Sequence, residues 1–175
     1  MVNKLLVTGG IRSGKTGLAE ARAQQAGGAV VYVATATAGD EEMAERIRRH
    51  QRQRPGHWQL MEEPLALGQV LSGYSQQPEP PLLLVDCMSL WLSNLLFAEE
   101  PRFQAERRGF LEAVERYAGS LVIVTNEVGL GTIGMDPLTR RFADELGWLN
   151  QALAERCDEV VMAVAGLPLT LKAGG

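Results

Sequence analysis

At 175 residues the chain is about the size of one domain, with room for a real core and little for two. A 46% hydrophobic, 22% charged composition without an apolar run near the ~20 residues that span a bilayer excludes membrane insertion as a working expectation. The net charge of −4 argues against a general nucleic-acid binder, and no basic leader or apolar export segment precedes the first strand, so the cytoplasm is the expected compartment. Cys87 and Cys157 lack the spacing of a zinc or redox pair and read as reduced, buried thiols.

The first element is an apolar strand, Leu5-Leu6-Val7, that runs into Gly9-Gly10-Ile11-Arg12-Ser13-Gly14-Lys15-Thr16. The spacing G-x-x-x-x-G-K-[ST] is that of a P-loop, whose successive backbone N–H groups cradle phosphate oxygens. Gly9 and Gly14 let the backbone approach the anion, Lys15 reaches the outer phosphates, and Thr16 offers a hydroxyl to Mg²⁺ at the positive end of the next helix. That helix is expected from Thr16 to about Gln25, ended by Gly27-Gly28. Ala29 to Val33 is β-branched and lacks alternation, as a strand buried on both faces does, and it ends in the small residues Ala34-Thr35-Ala36-Thr37.

Asp40 to about Gln53 reads as a helix capped by Gly39 or Asp40, with acids first and arginines last, stopped by Pro55. Its Arg46, His50 and Arg54 share one face, apart from the apolar Met43 and Ile47. Trp58 to Glu62 reads as a short edge strand, Pro64 to Leu71 as a helix, and Ser72 to Pro81 as a surface loop with a Gly-Tyr-Ser turn. Leu82 to Asp86 is the most apolar strand and closes on a carboxylate. Helices follow at Ser89 to Phe97 and Pro101 to Tyr117, then a strand at Leu121 to Thr125 that leads into Asn126-Glu127-Val128-Gly129 and a glycine-rich loop to Gly134. A long helix from Asp136-Pro137 to about Arg156, a core strand from Glu159 to Val164 and an edge strand from Leu167 to Leu171 complete the order. Strands alternating with helices predict one α/β domain over residues 1–175, with a mostly parallel sheet and helices on both faces.

Asp86 ends its strand where a Walker-B acid stands, able to hold Mg²⁺ beside Thr16, or to cap the following helix, or both. Glu127 is a candidate second metal-associated acid or a base for a hydroxyl substrate, against the alternative of a solvated loop carboxylate. His50 carries the sharpest expectation. Arginines one turn away on either side depress an imidazole pKa and supply charge to phosphate oxygens, so a neutral ring nitrogen is set for covalent phosphoramidate formation. His57 reads as a loop residue next to Trp58.

Together these residues resemble the bifunctional adenosylcobinamide kinase/adenosylcobinamide-phosphate guanylyltransferases of cobalamin biosynthesis. The resemblance runs through Gly9 to Thr16, Tyr32-Val33-Ala34-Thr35, Asp40, Glu42-Met43, Arg46-Ile47, His50, Arg54-Pro55, Trp58, Asp86-Cys87, Asn94-Leu95, Asn126 to Gly129, and Gly147 with Asn150-Gln151. It implies a RecA-like P-loop NTPase sheet and two reactions. A nucleoside triphosphate, ATP or GTP, phosphorylates the aminopropanol hydroxyl of adenosylcobinamide; GTP then transfers GMP to the adenosylcobinamide phosphate, giving adenosylcobinamide-GDP and pyrophosphate. It places the guanylylated histidine on His50, with Lys15 beside it in catalysis. Nucleotide contacts fall on Gly9, Gly10, Ile11, Arg12, Ser13, Gly14, Lys15, Thr16, Ala34, Thr35, Ala36, Gln51, Arg52, Gln53, Arg54, Glu62 and Asp86, with Mg²⁺ on Thr16 and Asp86. It also implies a homotrimer. One departure stands out: Thr132-Ile133-Gly134 replaces the usual Ile-Val-Pro, and Gly134 in place of proline is expected to loosen the loop. Two other readings of the P-loop are a small-molecule kinase without guanylyl transfer and a nucleotide-dependent regulatory module.

Overall fold

The computed structural model describes residues 3–36, 55–131 and 134–175. Its strands are β1 (Lys4–Gly9), β2 (Val30–Ala34), β3 (Gln59–Glu62), β4 (Leu82–Asp86), β5 (Leu121–Val124), β6 (Glu159–Val164) and β7 (Leu167–Lys172). The helices among the described residues are α1 (Lys15–Ala26), α2 (Leu67–Ser75), α3 (Met88–Leu96), α4 (Glu100–Arg116) and α5 (Pro137–Arg156). The strands form one seven-stranded sheet in the order β3-β2-β4-β5-β1-β6-β7. All pairs are parallel except the β6–β7 hairpin. The expected helix from Asp40 to Gln53, with Arg46, His50, Gln51, Arg52, Gln53 and Arg54, lies outside the described residues, as do Thr132 and Ile133.

The apolar runs without alternation are strands buried on both faces, and successive residues feed two separate cores. Leu6, Val31, Val33, Leu83, Val85 and Ile123 pack under α2 to α5. Leu5, Val7, Tyr32, Leu84, Val122 and Val124 meet α1 through Ala19 and Ala23 on the other face. The larger core centres on Trp91, fully buried and 4.9 Å from the Phe110 ring, with its indole N–H donating to Leu65 O at 2.8 Å. Burying the ring without that bond would leave a polar N–H unpaired, so the bond ties the turn at Leu65 to the core.

Two boundaries differ from the sequence expectation. The helix expected to open at Pro64 starts at Leu67, because the Glu63 carboxylate accepts from the N–H groups of Leu65 and Ala66 at 2.9 and 2.8 Å and holds them in a turn. It then runs through Gly73-Tyr74-Ser75, which the sequence marks as a turn. Packing against α4 decides this: a Cβ on Gly68 would lie 2.8 Å from the Gly109 carbonyl carbon, so the bare backbone allows the two helices to cross closely. The long helix α5 begins as expected, with the Asp136 side chain accepting from Thr139 N. Gly134 reads differently: a Cβ there would stand 2.2 Å from the Thr139 methyl, so Thr139 fills the space that a larger residue at 134 would need. Cys87 and Cys157 are buried free thiols; burial pushes both up, Cys157 to about 12, so they stay protonated. No described helix is long and apolar enough to cross a membrane.

Candidate active site

The candidate residues among those described gather at the C-terminal edge of the sheet, where open parallel sheets hold ligands. Register brings three of them level: Glu62 pairs with Ala34, Ala34 with Asp86, and Asp86 with Val124. On the far side of β5, β1 continues past Val7 into the P-loop. Glu62 is exposed, whereas Ala34 and Asp86 are half-buried.

The P-loop turns on two glycines with distinct reasons. A Cβ on Gly9 would lie 2.5 Å from Ser13 Oγ, so the loop can close only over a bare backbone. Gly14 has φ +90°, the left-handed region, and caps α1. Arg12 also takes a left-handed φ of 51°, a conformation that costs a non-glycine residue and persists where the loop demands it. The unpaired N–H groups of the first turn of α1 and its positive end face this edge. Lys15 Nζ donates to Gly10 O at 3.0 Å, which places the ammonium across its own loop. Behind the loop, the β6–β7 turn donates Gly166 N–H to Ser13 O at 2.9 Å and braces it.

The expected Thr16–Asp86 pair is present: Thr16 Oγ1 donates to Asp86 Oδ2 at 3.3 Å. The same oxygen accepts a shorter bond, 2.6 Å, from the Tyr32 hydroxyl on β2. Both donors converge on one carboxylate oxygen and fix its plane. A hydroxyl beside a single carboxylate is the donor set that suits Mg²⁺ shared with phosphates. Among the described residues no group of three His, Cys, Asp or Glu forms a metal cage of its own.

Thr35 plays another part than contact through its side chain. It is fully buried, and its hydroxyl donates to Cys87 O at 2.8 Å and accepts from Cys87 N at 2.9 Å. Asn94 Nδ2 donates to Thr35 O and Pro64 O, at 2.9 and 3.0 Å. Thr35 therefore locks the loops after β2 and β4 together, and Ala34 and Ala36 lie on either side of that lock. Sequence reasoning missed Tyr32 and Asn150. Asn150 Oδ1 accepts from Thr125 Oγ1 at 2.6 Å while its Nδ2 donates to Asn126 O at 3.0 Å. Its appearance next to Gln151 in the motif was the only signal. His57 lies in an exposed turn before β3, as expected.

Fold and site define a nucleotide-binding protein of the P-loop class. A family model described as "Cobinamide kinase / cobinamide phosphate guanyltransferase" matches residues 5–171, and the chain belongs to that family. It is 50% identical over 168 residues to the bifunctional adenosylcobalamin biosynthesis protein CobP of Pseudomonas aeruginosa, covering 95% of this chain and 96% of that one. It is 35% identical to the Escherichia coli protein of the same description, CobU, covering 96% of this chain and 99% of the relative. A solved structure from a study of the Pyrococcus horikoshii OT3 protein PH0250 shares the fold at TM-score 0.54 and 12% identity, over 98% of this chain and 86% of its own. The chain is thus a transferase with the two activities of its family, cobinamide phosphorylation and GMP transfer.

Proposed function

We propose that both reactions use one triphosphate seat, on the P-loop, a bound nucleotide being cut at the γ-phosphorus in the first reaction and a second one at the α-phosphorus in the other. For the kinase step, the adenosylcobinamide hydroxyl attacks the γ-phosphorus and a nucleoside diphosphate leaves. For GMP transfer, a ring nitrogen of His50 attacks the α-phosphorus of GTP and pyrophosphate departs; the adenosylcobinamide phosphate then attacks the guanylyl phosphorus and frees the histidine. Thr16 and Asp86 would hold Mg²⁺, whose role is to neutralise charge on the phosphate oxygens. Lys15 and the N–H groups of the loop bind the outer phosphates, and Arg46, Arg52 and Arg54 supply further positive charge. In this reading Glu62, at the exposed end of β3 and level with Ala34, contacts the nucleoside rather than the phosphates.

The observation that supports this most is the Thr16–Asp86 pairing beside a closed P-loop, at one sheet edge, in a chain matched by its family from residue 5 to 171. GTP labelled in the α-phosphate should leave acid-labile label on the protein, and His50→Ala should abolish it while the phosphate ester is still made. Undiminished labelling in that variant would sink the assignment. No label on the wild type would leave a P-loop kinase without guanylyl transfer.

The homotrimer belongs to the same proposal. Leu167, Leu169 and Leu171 alternate along the edge strand β7 and stand exposed together with Val164, an apolar strip of the kind a second copy covers. Light scattering at three times the monomer mass is expected.

A further inference from the structure

We propose that Glu127 is the catalytic base of the kinase reaction, accepting the proton of the substrate hydroxyl as that oxygen attacks the γ-phosphorus. The proposal rests on the kinase reading above. Its first support is placement. β5 lies between the P-loop strand β1 and the Asp86 strand β4, and the pairing with β1 continues beyond the strand end: Thr125 N donates to Val7 O at 2.9 Å and Glu127 N to Gly9 O at 3.1 Å. Glu127 is therefore pinned beside the first glycine of the phosphate loop.

Its second support is how the carboxylate is held. Thr8 Oγ1 donates to Oε1 at 2.8 Å, and Asn150 Nδ2 makes a longer 3.5 Å contact to the same oxygen. Asn150 is itself fixed by Thr125 and by the Asn126 carbonyl. Every donor that reaches Glu127 among the described residues meets Oε1, and none meets Oε2. No described Lys or Arg pairs with it either. One oxygen is anchored and the other stays open as an acceptor, the arrangement that a general base needs.

The neighbouring side chain is anchored as well. Asn126 Nδ2 donates to Ser89 Oγ at 2.6 Å, while its Oδ1 is buried without a donor among the described residues. Val128 and Leu130, which follow Glu127 in the chain, and Ile11 on the P-loop are exposed apolar residues, suited to the carbon framework of a large substrate.

In the step, the hydroxyl O–H bond breaks as the new O–P bond forms. The proton passes to Glu127 Oε2, and the bond from the γ-phosphorus to the bridging oxygen breaks, its electron pair leaving with the nucleoside diphosphate. The base then returns the proton to water. GMP transfer needs no such proton acceptor, because its nucleophiles are a neutral imidazole and an ionised phosphate. The two halves of the enzyme should therefore separate at this residue.

The test uses the full-length protein, the wild type and Glu127→Gln, with two assays: adenosylcobinamide plus nucleoside triphosphate and Mg²⁺, and preformed adenosylcobinamide phosphate plus GTP and Mg²⁺. Glutamine preserves the side-chain oxygen that Thr8 bonds. The kcat of phosphorylation should fall by about 10²–10⁴-fold with little change in KM, and GMP transfer by about threefold or less. Phosphorylation within about threefold of the wild type would overturn the proposal. So would an equal fall in both assays, which marks a metal-holding or purely structural acid. A wild-type enzyme that transfers GMP yet makes no phosphate ester would overturn the kinase reading itself, and the proposal with it.

Discussion

The two ends of the same sheet make an instructive pair. At the end where the strands begin, a cavity of about 850 Å³ opens between Asn3, Arg22, Gly27 to Ala29, Pro80-Pro81, Ser120 and Asp158. It is roomy, and its strand starts are held by hydrogen bonds, with Asn3 Oδ1 buried and without a partner among the described residues. Asn3 N donates to Ser120 Oγ at 3.3 Å and Lys4 N to Asp158 Oδ2 at 2.8 Å, so its polar groups tie strand starts together. Helix α1 turns its C-terminal, negative end this way. At the other end the same helix presents its positive end, the P-loop exposes unpaired N–H groups, and Asp86 and Glu127 each have one oxygen anchored by neighbours. Room alone does not make this end a site. What marks a site for polyphosphate chemistry is polar groups held in place and still open on one side.

Three substitutions sharpen that contrast. Lys15→Ala at the C-terminal edge should reduce both activities by about 10²–10³-fold, as removal of one preorganised donor does, and leave the urea midpoint unchanged. Loss of stability comparable to the loss of activity would make Lys15 a structural residue. Thr35→Val, nearly the same shape, removes the hydroxyl that accepts from the buried Cys87 N–H. It should cost about 1–3 kcal/mol in urea unfolding. Arg22→Met, at the opposite edge, breaks an ion pair with Glu159 in which the arginine side chain is 35% exposed. Solvent screens it, so about 0–1 kcal/mol is expected, with kinetics untouched. If Arg22→Met proved costlier than Thr35→Val, the two ends would not differ as described.

Much of this fold was legible in the chain. Leu82 to Asp86 and Leu121 to Thr125 are apolar runs too short for helices and lacking alternation, so a strand buried on both faces was the one reading left. The P-loop was legible because its spacing is a backbone requirement, and Asp136-Pro137 because capping is local. The start of α2 was not legible: Pro64 is a sound first residue for a helix, but the Glu63 carboxylate claims the next N–H groups, and the Gly68–Gly109 crossing that extends the helix through Tyr74 lies 41 residues away in the chain. The site divides in the same way. Thr16 and Asp86 follow from motif and strand end. The anchors on Asp86 and Glu127, Tyr32 at a sequence separation of 54 and Thr8 at 119, exist only once β2, β4, β5 and β1 lie side by side. Thr35 reads as a ligand residue because it is small and polar at a strand end; that its hydroxyl is bonded to Cys87 appears only once β2 and β4 are paired.

The claim that one P-loop edge serves both reactions is tested most directly by inhibition. Adenosylcobinamide, GTP and Mg²⁺ are incubated with the wild-type protein and a non-hydrolysable GTP analogue, and the masses of the phosphate ester and the GDP ester are followed, with preformed phosphate supplied for the second reaction. A single nucleotide seat requires the analogue to suppress both products with the same inhibition constant. Suppression of one product with the other unaffected would contradict it.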